Sequence, residues 1–301
     1  MEYVILDLEW DSVYFTPEKR FINQILQIGA VKLDGDLNIT DTFSVTICSD
    51  ISKRVTSRFA KLTGITNEIM RNGIPFTEAV ERYNEFACNS DVTMTWSNSD
   101  LYTIIENEEL ILKNSLKFKI NGYLDLQKLV QSHLKTVGYE SQNQISLESA
   151  AELLNVDTSE YELHTALDDS LVCAKLLKLS YTEDNFRSII RDTSSPDFYK
   201  RLKFKAYTIS NINDDNIEKS QLEFECPECK GKTKRISGWK YRNRWFTGDF
   251  KCKDCGFKFN GRVTFKKTYD DTIVKRKVCE YKKRKKNAVQ PMPETVQLTK
   301  N

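Results

Sequence analysis

Two C-x-x-C pairs, Cys226-Pro-Glu-Cys229 and Cys252-Lys-Asp-Cys255, limit most tightly what this chain can fold into. A two-residue gap lets both thiolates of a pair reach one ion, and four thiolates close a tetrahedral Zn²⁺ site of the structural kind. The 22 residues between the pairs suit a β-hairpin. Thiols paired this way hold metal in a reducing compartment. No basic stretch precedes the first apolar run, and Asp7 interrupts it, so a secretory leader is not expected and a cytoplasmic location is. Cys48, Cys88, Cys173 and Cys279 are scattered singly and read as small core or surface thiols.

Charge divides the chain in the same way. Residues 1–199 carry 18 Lys and Arg against 31 Asp and Glu, whereas residues 200–286 carry 26 against 11. A strongly basic half points to a polyanionic partner, most often nucleic acid. No apolar run approaches the ~18 residues that a membrane span needs, so no membrane partner is expected. At 40% hydrophobic residues over 301 positions, the chain can bury more than one core.

The N-terminal part alternates short apolar strands with amphipathic helices. Glu2–Glu9 reads as a buried strand ending in carboxylates, Ile25–Leu33 as a second strand, and 37–47 as a third after the Asp34-Gly35-Asp36 turn. Helical spacing follows over 75–87, 100–112, 146–154 and 165–179, with short strands near 92–96 and 123–126. This order predicts an α/β fold, a mixed sheet with flanking helices, plus a small C-terminal β zinc ribbon. The expected divisions are a domain over 1–182, a connector over 183–221, a ribbon over 222–269, and a basic, disordered tail over 270–301. The polar stretch 11–23 is expected as a long surface loop between the first two strands.

Asp7 and Glu9 stand two apart at a strand end and so share a face. Asp and Glu clusters supply the hard oxygen ligands that Mg²⁺ requires. His164 precedes an amphipathic helix carrying Asp168 and Asp169, and a histidine beside such a cluster is a natural general base. The remaining histidine, His133, falls mid-helix and reads as a surface or packing residue.

In order along the chain, these residues resemble the DEDDh 3′–5′ exonucleases, which have the ribonuclease H-like fold. The matching blocks are Leu6-Asp7-Leu8-Glu9 with Gln27-Ile28-Gly29-Ala30-Val31, Trp96-Ser-Asn-Ser-Asp100, and His164-Thr-Ala-Leu-Asp-Asp169. Between them run Leu62-Thr63-Gly64-Ile65-Thr66 and Pro75-Phe76, which are typical of the family. The resemblance implies that Asp7, Glu9 and Asp169 hold two Mg²⁺ or Mn²⁺ ions, that Asp100 completes the four carboxylates, and that His164 is the base. It implies a single-stranded 3′ end, DNA or RNA, as substrate, and nucleoside 5′-monophosphates as products. Asp168 then falls outside the ligand set. Two positions depart from the pattern: Trp10 stands where many members have a small hydroxyl residue, and Ser97 where glycine is common.

Within the cysteine module, which resembles a zinc ribbon, basic Lys240, Arg242 and Arg244 alternate with aromatic Trp239, Tyr241 and Trp245. Aromatics stack on bases and cations neutralise phosphates, so the six are candidate nucleic-acid contacts. Read as one strand, the segment puts the aromatics on one face and the cations on the other, and the aromatics equally suit the core of a small ribbon. Lys282-Lys-Arg-Lys-Lys286 continues the positive field. Two readings compete with an exonuclease that grips its strand through the ribbon. One is a non-catalytic nucleic-acid-binding or partner-recruiting adaptor on the same fold. The other is an active nuclease whose ribbon binds a protein partner.

Overall fold

The computed structural model describes residues 1–113, 117–139 and 143–281, and these form two compact units that meet in sequence between Lys203 and Phe204. The basic run 282–286 and the segment after it lie outside the described residues.

Unit 1 opens with β1 (Tyr3–Phe15), β2 (Arg20–Leu33) and β3 (Ile39–Cys48). Next come α1 (Ser57–Thr63), α2 (Asn67–Arg71), β4 (Ile74–Pro75) and α3 (Phe76–Phe86). They are followed by β5 (Val92–Thr95), α4 (Ser99–Leu112), β6 (Gly122–Asp125) and α5 (Leu126–Thr136). The unit closes with α6 (Leu147–Leu153), α7 (Ala166–Ser180), α8 (Glu183–Ile189), β7 (Arg191–Asp192) and α9 (Pro196–Lys203). The seven strands form one mixed sheet in the order β4-β3-β2-β1-β5-β6-β7. β1, β2 and β3 run antiparallel, while β5 and β6 continue parallel to β1.

β1 is apolar on both sides because helices cover both faces of the sheet. Its even positions Val4, Leu6 and Leu8 pack with Phe76, Val80 and Tyr83 of α3. Its odd positions Tyr3 and Ile5 pack with Leu129 of α5 and with Val172 and Leu176 of α7. The odd column then changes from apolar to acidic at Asp7 and Glu9, and this change places the carboxylates on the α7 side of the sheet.

Three expectations are corrected. The stretch 11–23 is not a loop: β1 and β2 continue as a paired hairpin out to Phe15 opposite Arg20, with Tyr14 and Phe21 packed edge to face at 5.4 Å. Asp11 is buried and accepts the Thr56 N–H and hydroxyl, both at 2.7 Å, so a residue that reads as a polar loop position anchors the start of α1. Residues 183–203 are not a connector. Phe186 of α8 packs on Tyr3 at 5.3 Å, and Phe198 of α9 packs on Tyr123 at 5.7 Å. Helices of seven and eight residues are too short for the 3.6-residue period to show above noise. Finally, 270–281 is not tail, because it carries the last strand of unit 2.

Unit 2 contains β8 (Tyr207–Thr208), a 3₁₀ turn (Lys219–Leu222), β9 (Thr233–Arg235), β10 (Lys240–Arg242), β11 (Trp245–Cys252), β12 (Lys258–Lys267) and β13 (Thr272–Glu280). β10 to β13 are neighbours in order, β9 pairs with β11, and β8 pairs with β12. One face of this sheet carries the core, with Phe246, Phe250, Phe259, Val263 and Phe265 packed with Phe224, Ile209 and Ile217. Among the described residues of the whole chain, no helix is long and apolar enough to cross a membrane.

Candidate active site and metal centres

Asp7, Glu9 and Asp169 each offer a carboxylate oxygen, and these oxygens lie within 4.8 Å of one another. Strand alternation delivers the first two. The third comes from the first turn of α7, whose N-terminus must therefore approach the sheet closely. β2 makes that approach possible. Gly29 lies opposite Asp7 in the ladder, and a Cβ there would stand 2.1 Å from the Ala166 carbonyl carbon and 2.2 Å from the Leu167 nitrogen. The Ser170 hydroxyl donates to the Gly29 carbonyl at 3.2 Å, and the Gln27 side-chain oxygen accepts the Ala166 N–H at 3.0 Å. Gln27 and Gly29 are thus positioning residues that spacing alone does not assign; the signal was a glycine inside a strand, which marks a close backbone approach.

Gly29→Ala is expected to push α7 from the sheet, cutting turnover about 100-fold, the usual cost of an ångström-scale misplacement. Overpacking should also destabilise the unit by about 1–3 kcal/mol. Steady-state rates and a thermal melt check both, and wild-type values for the two would contradict this role for Gly29.

Asp100 sits in the first turn of α4, 3% exposed, and lies outside the three-oxygen cluster. Its approach is set by Ser97, which is buried at φ +82°, a left-handed conformation that glycine adopts without strain. The departure from glycine at this position is held by two hydroxyls, those of Thr95 and Tyr123, which donate to the Ser97 carbonyl. The other departure, Trp10, follows a register shift where Glu9 pairs with Gln27 and Trp10 with Ile25. The extra residue, Leu26, is buried against Val55, Phe59 and Met70. The bulge bends the strand pair beside the carboxylates.

His164 is exposed, just ahead of the Thr165 cap of α7, at φ +71°. Its backbone N–H points to an Asp169 carboxylate oxygen at 3.4 Å. A non-glycine residue in this conformation stores strain of the kind found at functional sites. Asp168 instead accepts the Glu162 N–H at 3.0 Å and so ties down the incoming loop. His133 lies on α5, half-buried and away from these groups.

The four carboxylates repel one another. Burial, followed by Asp100, Asp169 and Glu9, holds Asp7 well above the usual range. Burial and then Asp169 push Glu9 from 4.5 to about 8. Burial pushes Asp100 to about 8 against the opposing N–H groups of Asp100 itself and Leu8. Asp169 is raised by burial and partly relieved by His164. A buried cluster of mutually repelling carboxylates fits a hard divalent ion held by oxygen.

In unit 2 the four thiols of Cys226, Cys229, Cys252 and Cys255 also lie within 4.8 Å of one another. The sulfur separations are 3.6 Å for Cys226 and Cys255, 3.5 Å for Cys229 and Cys252, and 3.5 Å for Cys229 and Cys255. A tetrahedron with metal–sulfur distances of ~2.3 Å has edges of ~3.8 Å. The N–H groups of Cys255 and Asp254 point at the Cys252 sulfur and draw its pKa down to about 7, while the hydrogen bonds the thiols share hold Cys229 and Cys255 up, so without a metal the proton load is divided unevenly among the four.

The basic-aromatic segment is not a single strand. Asn243 and Arg244, at φ +51° and +63°, make a two-residue turn between β10 and β11. The turn reverses the chain, so Trp245 lies opposite Arg242, and Tyr241 opposite Phe246. Trp239 packs into the core cluster, 5.8 Å from Phe250. Lys240, Arg242 and Trp245 share the other face.

A model of the family described as Exonuclease (RNase_T) matches residues 4–177, more than half of the chain. The DNA polymerase III PolC-type proteins of Thermotoga petrophila and Thermotoga maritima are 29% and 28% identical over 175 residues. The match covers 58% of this chain and 11% of each of those relatives, so the chain spans about a tenth of their length. Among solved structures, a full-length 3′-exonuclease superposes with a TM-score of 0.53 at 19% identity, over 65% of this chain and 91% of its own. The nuclease domain of 3′hExo, a DEDDh family member bound to rAMP, gives 0.51 at 20%, over 59% and 90%. Likeness at this identity reports the shared fold. A mixed sheet flanked by helices, three converging carboxylates and a family match along this same stretch lead to one assignment: the chain belongs to the Exonuclease (RNase_T) family, with the ribonuclease H-like fold of the DEDDh exonucleases, and carries a four-cysteine site in a second unit.

Proposed function

We propose that the protein is a metal-dependent 3′–5′ exonuclease that releases nucleoside 5′-monophosphates from single-stranded DNA or RNA. The convergence of Asp7, Glu9 and Asp169 carries this reading, because carboxylates that close and that buried either take up protons or share a cation, and a hard divalent ion supplies the countercharge. Asp7, Glu9 and Asp169 would hold two Mg²⁺ or Mn²⁺ ions, with Asp100 completing the acidic set. Bound there, the ions would neutralise phosphoryl charge and help lower the pKa of the attacking water. His164, exposed just ahead of α7, would accept the proton of the attacking water. The Asp169 carboxylate next to the His164 backbone fixes the loop that presents it.

Unit 2 would bind one structural Zn²⁺ and supply the grip on the strand. Between Phe204 and Asn301 the chain has 24 Lys and Arg against 12 Asp and Glu, whereas unit 1 is net acidic. The acidic unit thus meets the polyanion through its metal ions, and the basic unit meets it directly. The ribbon's role as a nucleic-acid grip, rather than a protein-binding one, rests on this charge. A location in the cytoplasm accords with the metal-site geometry of the cysteines.

The test of direction and product is an oligonucleotide with either a free 3′-hydroxyl or a blocked 3′ end, with products separated by chromatography. The free end should yield 5′-monophosphates one at a time and the blocked end should resist. Internal fragments from both substrates would contradict the proposal.

A further inference from the structure

The sheet of unit 2 has two faces, and the described residues of that unit cover only one. Register assigns every position, since residues directly opposite in an antiparallel ladder share a face. The covered face holds the phenylalanine core. On the other, Lys240 and Arg242 of β10 lie opposite Thr247 and Trp245 of β11. Lys251 of β11 lies between Lys258 of β12 and Lys234 of β9. Arg262 of β12 lies between Thr247 and Lys277, Thr264 lies opposite Lys275, and Lys266 ends the row. Nine cations from five strands thus share this face with one carboxylate, Asp249, which is already bonded to Asn260 at 2.9 Å. Among the described residues, none of the nine forms an ion pair. Trp245 stands half-exposed among them, and the Lys277 ammonium lies 4.6 Å from its ring centre, which confirms across two strands that both point the same way.

From this geometry we infer that the open face of the unit 2 sheet, from Lys240 and Arg242 through Trp245 and Arg262 to Lys275 and Lys277, is a binding track for single-stranded nucleic acid. The inference deepens the proposed grip by naming the surface, and it removes Trp239 and Tyr241 from that surface, because both lie toward the core face. Charge complementarity identifies a polyanion. The half-exposed indole of Trp245 among these cations identifies a single strand, whose bases are free to stack, over a duplex, whose bases are paired inside. β12 from Lys258 to Lys266 runs ~27 Å at ~3.4 Å per residue, long enough for several nucleotides.

The test uses the full-length, zinc-loaded protein carrying Asp7→Asn, so that the probe survives, and a 5′-fluorescent oligothymidylate read by anisotropy. Replacing Lys251, Arg262 and Lys277 together by Gln should weaken binding about 100-fold at 0.1 M salt. It should also flatten the salt dependence by ~2, since each phosphate contact on a single strand contributes ~0.7 to the slope. Trp245→Thr should weaken binding about tenfold, while Trp245→Phe keeps most of it. Lys219, Lys230 and Lys253, which lie outside the paired strands of this sheet, replaced together by Gln remove the same charge and should cost under threefold. Zinc content and circular dichroism confirm that each variant is folded. The inference falls if the on-face triple variant binds within threefold of its parent, if the off-face triple variant loses as much, or if a duplex of equal length binds as well as the strand. In the protein with Asp7 restored, the on-face triple variant should degrade the oligothymidylate with a KM raised by about the same factor as the loss of affinity. Absence of cleavage by the wild type would remove the nuclease reading and leave the binding result standing.

Discussion

Replacing Asp7 by Asn is expected to lower nucleolytic turnover at least about 1000-fold and, at the same time, to raise the melting temperature of the metal-free protein. The two effects have one cause. Without a cation the carboxylates burden the fold, because burial and mutual repulsion hold Asp7, Glu9 and Asp100 protonated well above their ordinary range. A carboxylate with a folded pKa of about 8 against 4.5 in the open chain binds more proton when folded. Stability is therefore lost as pH rises between those values, and the full penalty stands above about 8. Removing one charge relieves part of it. A gain of at least about 1 kcal/mol corresponds to a rise of ~2–4 °C for a unit of this size. Magnesium or manganese replaces the missing countercharge, so at pH 8 the wild type should gain more from either ion than Asp7→Asn does. The activity loss follows because an amide oxygen carries no charge to bind a hard cation. A variant that melts lower than wild type in chelator across pH 5 to 8 would contradict this account of the cluster.

Stripping zinc is expected to unfold unit 2 while unit 1 stays folded. The core of unit 2 comprises eight buried side chains, five of them phenylalanine. A core of that size rarely supplies more than ~3–5 kcal/mol, whereas four thiolates binding zinc supply ~10–16 kcal/mol in small zinc domains. Two of the cysteines, Cys226 and Cys229, lie in the turn before β9, while Cys252 ends β11 and Cys255 lies in the turn before β12. Without metal that tie is lost at both turns. Elemental analysis should find one zinc per chain. Chelation, or Cys252→Ser, should abolish amide protection over 224–280 and leave protection over β1, β2 and α7 in place. Loss of oligonucleotide affinity should accompany it. Persistent protection of β11 and β12 after zinc removal would show that the core stands unaided.

The acidic site was legible because its members sit in regular positions. Asp7 and Glu9 obey strand alternation, whereas Asp168 and Asp169 share the first turn of one helix and only the resemblance to the DEDDh exonucleases selects Asp169. The structure brings these three together, while Asp100 approaches from α4 outside the three-oxygen group. The sequence was silent on what positions them. Gly29 and Gln27 act through contacts 137 residues and more away, with Ala166 and its neighbours, and no local pattern encodes a contact of that range. The hairpin beyond Glu9 was misread because its residues are polar and half-exposed, the composition of a loop, although their ladder runs unbroken from Trp10 to Phe15. The basic-aromatic segment was misread for a sharper reason. A turn of two residues flips the parity of everything after it, and Trp245 therefore moves from the face of Tyr241 to that of Arg242. Likewise β13 hid its strand character under lysines that read as tail, since the exposed edge of a sheet favours charge.

The most direct measurement of the central claim is degradation of 5′-labelled single strands of DNA and RNA of one sequence. It would be run in Mg²⁺, in Mn²⁺ and in chelator, with Asp7→Asn beside the wild type. The account predicts a ladder that shortens from the 3′ end, requires the divalent ion, and vanishes in the variant. A full-length strand in every lane, from a protein that holds zinc and still retains the strand, would contradict it and leave a nucleic-acid-binding protein built on an exonuclease fold.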